Sequence, residues 1–295
     1  MKNYKFLNWL KWVGVFVIFA IVVSVISNFN TPTLDSLTGE VATRYIEMPS
    51  GKYAGDAMLS TITGKGSFYF DTGEIYEGDW KDNEMNGKGK FTYTTGVYDG
   101  DFSNSKRNGQ GTFVWQDGST YTGEWSSDKL YGNGTLTQGQ ATYQGTFTDN
   151  KLKDGTITLV TDIGNYKLTA ADGVLSDQIE VTFATGITYN GGYNANTISG
   201  NGTMTYPGIG KYEGSFSDGK RNGQGKFTWE DGVSYDGAWT NDLMNGKGKY
   251  TISSTIYLEG TFDNGKLNGT YTYHNEKGNY KTTWVDNKNT GVEEE

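Results

Sequence analysis

The residues able to do chemistry are few, and their spacing does not gather them. The chain holds one histidine, His274, and no cysteine among 295 residues. Zinc sites draw on sets of His and Cys, so the usual ones cannot be assembled here. A Ser-His-Asp arrangement needs a pocket, whereas period-2 spacing sets His274 on a polar face, opposite the aromatics Tyr271 and Tyr273. Gly-x-Gly pairs such as Gly109-Gln-Gly111 lack the following helix and the Gly-Lys-Ser/Thr of a phosphate loop. Asn133, Asn201 and Asn268 each head an Asn-Gly-Thr sequon, but they fall at one recurring position and need no sugar to explain them. No catalytic, cofactor-binding or metal site is expected, and the chain is not expected to be an enzyme.

What recurs instead is Tyr-x-Gly-x-aromatic, at intervals of 22 or 23 residues. Units open at Tyr53, Tyr76, Tyr98, Tyr121, Tyr143, Tyr166, Tyr189, Tyr212, Tyr235, at Leu258 in a variant form, and at Tyr280. Tandem copies of one short unit imply a repeat architecture, which offers a long surface and no pocket. Within a unit such as Tyr76-Glu-Gly78-Asp-Trp80…Gly87-Lys-Gly89-Lys-Phe91-Thr-Tyr93, alternation is strict on both halves. Side chains two apart share a strand face. Tyr76, Gly78 and Trp80 thus point one way, with Gly87, Gly89, Phe91 and Tyr93 on the matching face of the second half. Glu77, Asp79, Lys88, Lys90 and Thr92 point the other way. Each unit is therefore a β-hairpin, with a polar turn between its halves and a second turn, such as Gln116-Asp117-Gly118-Ser119, to the next unit.

Mid-strand glycine normally weakens a sheet, because it leaves nothing to pack. A ring from a neighbouring strand can lie flat over the bare backbone and restore that packing. Such an arrangement accounts for 43 glycines and 15% aromatic residues in a chain with 3 prolines.

The unit resembles the MORN repeat (membrane occupation and recognition nexus) of the bacterial type. The similarity covers residues 53–285 and is closest at Tyr212-Glu-Gly214-Ser-Phe216-Ser-Asp-Gly219-Lys220-Arg221-Asn222-Gly223-Gln-Gly225. The resemblance implies an elongated, single-layer, twisted antiparallel sheet of tandem hairpins, in proteins linked with membrane attachment, self-association and holding partners together. Its candidate interaction surface is the aromatic strips Tyr76, Trp80, Tyr98, Phe102, Tyr121, Trp125, Tyr212, Phe216, Tyr235 and Trp239. Residues 53–288 hold ten to eleven such units, degenerate at 143–188. There Leu168, Ala170, Asp177 and Ile179 replace the expected glycines and aromatic, so a bulge or twist change is required. A local bend without a domain break is expected at that point.

Residues 1–11 carry Lys2, Lys5 and Lys11 and no acid, and an apolar run follows. The run, taken as 12–28 or from residue 6, suits a bilayer crossing of about 20 residues. Lysines on its N-terminal side place that end in the cytoplasm and the repeats outside a cell membrane crossed once. A cleaved signal peptide is the alternative, although no Ala-x-Ala site follows and Val25 and Ser27 make a mediocre cleavage pair. Residues 29–52 read as a stalk, with Tyr45 and Glu47 placed for a capping half-hairpin, and 289–295 read as a frayed acidic tail. Without the three anchor lysines, 22 basic residues face 34 acidic ones. Such a balance does not attract nucleic acid. Lys106-Arg107 and Lys220-Arg221 are basic turns that could touch phosphates, but solvated turn residues explain them more simply.

Two functions compete. One is a membrane-anchored scaffold that engages an unidentified protein partner or a second copy of itself. The other is direct binding of an envelope glycan or lipid along the aromatic strips.

Overall fold

The computed structural model describes residues 42–294 apart from 59–60 and 195–196. The basic segment 1–11, the apolar run 12–28 expected to cross a membrane, and 29–41 of the expected stalk lie outside the described residues. Among the described residues no helix is long and apolar enough to cross a membrane. They are all-β, with twenty-three strands from Ala42–Met48 to Lys288–Glu294. The sheet therefore begins within the segment read as stalk, where Ala42–Met48 pairs with Gly51–Met58 and puts Ile46 against Tyr53. The C-terminal residues read as a frayed tail are the strand Lys288–Glu294, held antiparallel to Gly278–Val285.

Two compact units divide the chain. One runs to Ile157 and includes Ala170–Val174, and the other comprises Thr158–Thr169 and Leu175–Glu295. The division falls within 143–188, where the Gly–aromatic pattern is lost: Leu168 and Ile179 stand where glycines recur elsewhere, and Ala170 where a ring does.

In each unit the strands follow one another antiparallel, and cross-strand register brings glycine opposite glycine. Gly66 faces Gly78, Gly78 faces Gly89, and Gly89 faces Gly100. The second unit repeats this from Gly191 and Gly202 to Gly248 and Gly260. A seam of bare backbone thus crosses the strands of each unit at right angles. Tyrosines roof it. A methyl group added to Gly89 would lie 2.5 Å and 2.6 Å from Cε2 and Cζ of Tyr76, so only hydrogen fits beneath the ring. The same ring position recurs at Tyr98 over Gly111, Tyr212 over Gly225 and Tyr235 over Gly248.

The two glycines of each Gly-x-Gly do different work, which period-2 reading did not separate. Gly89 gives close approach, whereas Gly87 has φ +107°, a conformation that L side chains rarely adopt. It lies in a β-bulge of its own strand: one residue, Asp79, separates Gly78 from Trp80, whereas three, Asn86, Gly87 and Lys88, separate their partners Met85 and Gly89. Asp79 carboxylate accepts the Lys88 amide at 2.9 Å.

Hairpin turns within the repeats are two residues long with both φ positive, as at Asp82 (52°) and Asn83 (71°). That geometry matches the strand twist and favours Asn, Asp and Gly. The second turn residue reaches sideways: Asn83 Oδ1 accepts the Ile62 amide at 2.8 Å, and Asn150 Oδ1 accepts that of Leu130 at 2.8 Å.

Gly89→Val is expected to destabilise the protein by about 1–3 kcal/mol through overpacking. Lys88→Val removes only an exposed ion pair with Asp101, worth up to about 1 kcal/mol. Thermal melts of the two variants check this, and equal shifts would reverse the assignment of faces.

Candidate functional site

The ten rings singled out from the sequence are core. Tyr76, Tyr98, Tyr121, Tyr212 and Tyr235 are 0% exposed, and Trp80, Phe102, Trp125, Phe216 and Trp239 are 3–4% exposed. Their edges pack T-shaped, and the contacts run on from repeat to repeat. Trp80 meets Tyr53 at 5.5 Å and Tyr76 at 5.1 Å, and Phe102 meets Tyr76 and Tyr98, both at 5.1 Å. Trp125 and Phe147 extend the chain of rings through Tyr98 and Tyr121. In the second unit the same alternation links Tyr189, Phe216, Tyr212, Trp239, Tyr235 and Phe262. Such pairs contribute about 0.5–1.5 kcal/mol each beyond area burial. A buried ring in this geometry offers a partner almost no free area.

Their polar ends are satisfied as well. Each tyrosine hydroxyl donates to the carbonyl of the residue three positions on, which faces the bulge: Tyr76 to Asp79 at 2.8 Å, Tyr121 to Glu124 at 2.9 Å, Tyr235 to Ala238 at 2.9 Å. Trp80 Nε1 donates to Gly66 O at 3.1 Å, and Trp239 Nε1 to Gly225 O at 2.9 Å. Burial pushes the phenols of Tyr189, Tyr212 and Tyr235 up to about 12, and those of Tyr53, Tyr76, Tyr98 and Tyr121 upward as well.

A different row of rings stays half-buried. Phe70, Tyr93 and Trp115 in the first unit, and Phe183, Tyr206 and Trp229 in the second, end the second strand of successive repeats and flank the core. Phe91 stacks on Tyr93 at 3.9 Å and 12°, and Tyr93 on Phe113 at 5.7 Å and 30°. The sequence carries the signal for this row, because an aromatic stands two positions after the second-strand core residue in Phe68–Phe70, Phe91–Tyr93, Phe113–Trp115, Val181–Phe183, Met204–Tyr206 and Phe227–Trp229. What it did not disclose is which row closes and which stays open.

The variant repeat at Leu258 keeps the same construction by exchanging partners. Gly260 stands opposite Tyr271, and a methyl group on Gly260 would lie 2.7 Å from Cε1 of Tyr271. The Tyr271 hydroxyl donates to Thr261 O, the carbonyl facing the bulge in that repeat. The roof therefore comes from the neighbouring strand when Leu258 cannot supply it.

Arg107 and Arg221 are not solvated turn residues. Arg107 is 5% exposed and lies over the ring of Trp125 at 4.3 Å. Its Nε donates to Asp128 Oδ1 at 3.1 Å and its Nη2 to Asp128 O at 3.0 Å. Arg221 repeats this with Trp239 at 4.4 Å and Asp242. Met85 and Leu130 fill the equivalent slot in neighbouring repeats, so the arginine stem acts as an apolar side chain with a stacked, paired head.

The opposite face is charged in rows. Asp79 and Asp101 take salt bridges from Lys65 at 2.8 Å and Lys88 at 2.7 Å. Hydrogen bonding from Lys65, with the Lys88 amide behind it, holds the Asp79 carboxyl below the usual range. The hollows on this face are shallow, the larger being about 470 Å³ and lined by Gln224, Asp236, Lys247, Lys249, Glu259 and Thr261. Among the described residues no three His, Asp or Glu side chains converge on a point that could hold a metal. Exposed aliphatic side chains gather in the irregular stretch of the second unit, at Leu159, Val160, Ile163 and Leu175.

Six segments match the MORN repeat model: 76–97, 98–120, 121–139, 189–208, 212–234 and 235–254. They lie in the two regular blocks and leave out 140–188. No curated protein matches the chain.

Two outcomes are expected. Arg107→Met is tolerated within about 1 kcal/mol, since a side chain of that kind already fits the slot. Asp128→Asn leaves a buried guanidinium short of its counter-charge and costs about 1–3 kcal/mol, less than a fully buried pair because Asp128 is partly solvated. Chemical denaturation of both variants measures the difference. The raised phenols set an alkaline limit: their contribution is complete below pH 10 and lost as pH climbs towards 12, because only unfolded tyrosines ionise in that window. Phenolate absorbance and loss of the β-sheet circular dichroism signal should therefore appear together between those values.

Proposed function

We propose that this chain, which carries MORN repeats, is a non-enzymatic scaffold anchored in the cell membrane by residues 12–28, with its repeats outside. The observation that supports the reading is the row of half-buried rings, Phe70, Tyr93 and Trp115 with Phe183, Tyr206 and Trp229. Core rings hold each repeat rigid, and this row presents one stiff aromatic edge per hairpin at regular spacing. Rigid, partly desolvated aromatics are the usual anchors of protein interfaces. A partner running across successive strands, or a second copy, would gain one contact per repeat. The acidic balance of the repeats disfavours anionic surfaces as partners.

A second reading, stacking of an envelope glycan on the same rings, rests on the same row. Capture from a membrane fraction, run beside glycan and lipid arrays, separates the two. Trp115→Ala and Trp229→Ala should each weaken capture severalfold while melting within a few degrees of the parent protein. Trp80→Ala and Trp239→Ala should instead unfold their repeats, and Ile163→Ser should leave capture unchanged. Loss of capture with Ile163→Ser alone would move the working surface to the irregular stretch.

Topology has its own test. Protease added to intact cells should degrade the repeats and spare an N-terminal tag. Release of the repeats into the medium, beginning near Asn28, would establish cleavage in place of anchoring.

A further inference from the structure

The only histidine of the chain sits in a side-chain cluster on the polar face of the second unit. His274 belongs to the strand Lys266–Asn275 and is only 18% exposed at its side chain. Its ring stacks on Tyr257 at 4.0 Å and 22°. Lys249 Nζ lies 3.4 Å from the centroid of the same tyrosine and 3.3 Å from Glu259 Oε1. The other oxygen of that carboxylate, Oε2, is 3.7 Å from His274 Nε2. On the far side, His274 Nδ1 is 2.6 Å from Asn279 Oδ1. His274 Nε2 itself is buried and has no hydrogen-bond partner.

We propose that His274 is a proton-operated clamp that ties the strands Ile256–Asp263 and Gly278–Val285 across their shared neighbour in mildly acidic conditions. In the neutral ring the Nδ1 hydrogen is donated to Asn279 Oδ1, leaving the Nε2 lone pair turned towards a carboxylate. That contact is wasted at best and repulsive at worst. Protonation places a hydrogen on Nε2, and both ring nitrogens then donate, one to Asn279 and one to Glu259. A small rotation closes the 3.7 Å gap to a charge-assisted bond.

Other charges near the ring do not cancel the effect. Lys249 repels an imidazolium, but it engages Oε1 of Glu259 and leaves Oε2 for His274. Lys281, on Gly278–Val285, is registered against Thr272, two residues from His274. Glu276, in the following turn, is 3.5 Å from Thr255 Oγ1 and adds a carboxylate to balance Lys281. The sign follows from the bonded form being the protonated one. Added stability is present at acidic pH and lost as pH rises through the range in which histidines titrate, about 5 to 8.

Amide hydrogen exchange of the full chain in detergent micelles tests the clamp, with rates at pH 5.5 and pH 8 corrected for intrinsic exchange. Protection of amides in the strands Ile256–Asp263 and Gly278–Val285 should rise about threefold to fivefold at the lower pH, the effect of one partly exposed ion pair. His274→Gln and Glu259→Gln should each abolish the rise and leave the pH response of Tyr76–Phe102 amides unchanged. Should His274→Gln fail to fold, Glu259→Gln still reads out directly, because it removes the carboxylate and keeps the histidine. A rise in protection that survives Glu259→Gln would overturn the proposal.

Discussion

The contact between a tyrosine ring and a pair of cross-strand glycines sets the thickness of this sheet, its register and its spacing. A ring lying flat on backbone needs hydrogen in place of a side chain on both strands beneath it, so the glycines must face each other. Their alignment in turn fixes which residues oppose at every other position. The hydroxyl at the end of the ring then needs an acceptor, and the residue facing the bulge supplies its carbonyl. The bulged strand presents an amide at the same place, and an Asp or Glu faces it in the first unit, as Asp79 does Lys88. One packing decision thus propagates into seam, bulge and capping acid.

The repeat beginning at Leu258 shows what is conserved physically within the chain. Its tyrosine comes from a different strand, yet the ring covers a glycine and its hydroxyl donates to the carbonyl facing the bulge as elsewhere. Ring position and acceptor are the fixed quantities, and residue order is one of two ways to reach them. Arginine in a methionine slot makes the same point. Arg107 supplies a stem of suitable bulk, and the extra demand of its guanidinium is met by Asp128 from the next turn and by the face of Trp125.

Strand alternation made much of this legible beforehand. Hairpins, turns, the face shared by Tyr76, Gly78 and Trp80, and the role of Gly89 all follow from period-2 patterning, which is a local property. What escaped was everything that depends on a third strand. Burial of Trp80 is decided by Tyr53 in the repeat before it, and the half-open state of Tyr93 by where the ring rows end. Arg107 looked like a surface cation because its stacking partner lies 18 positions away, at Trp125.

Edge-to-face contacts give the sheet a direction along the chain. Tyr76 is closed on one side by Trp80 of its own repeat and on the other by Phe102 of the following one, as Tyr98 is by Phe102 and Trp125. A nascent polypeptide leaves the ribosome N-terminus first, so each repeat emerges with one tyrosine edge bare and stays so until the next hairpin appears. At about 5–20 residues per second, that delay is roughly one to five seconds per repeat. Throughout synthesis the growing end therefore carries a single open aromatic edge, which the chain covers and recreates one hairpin further along.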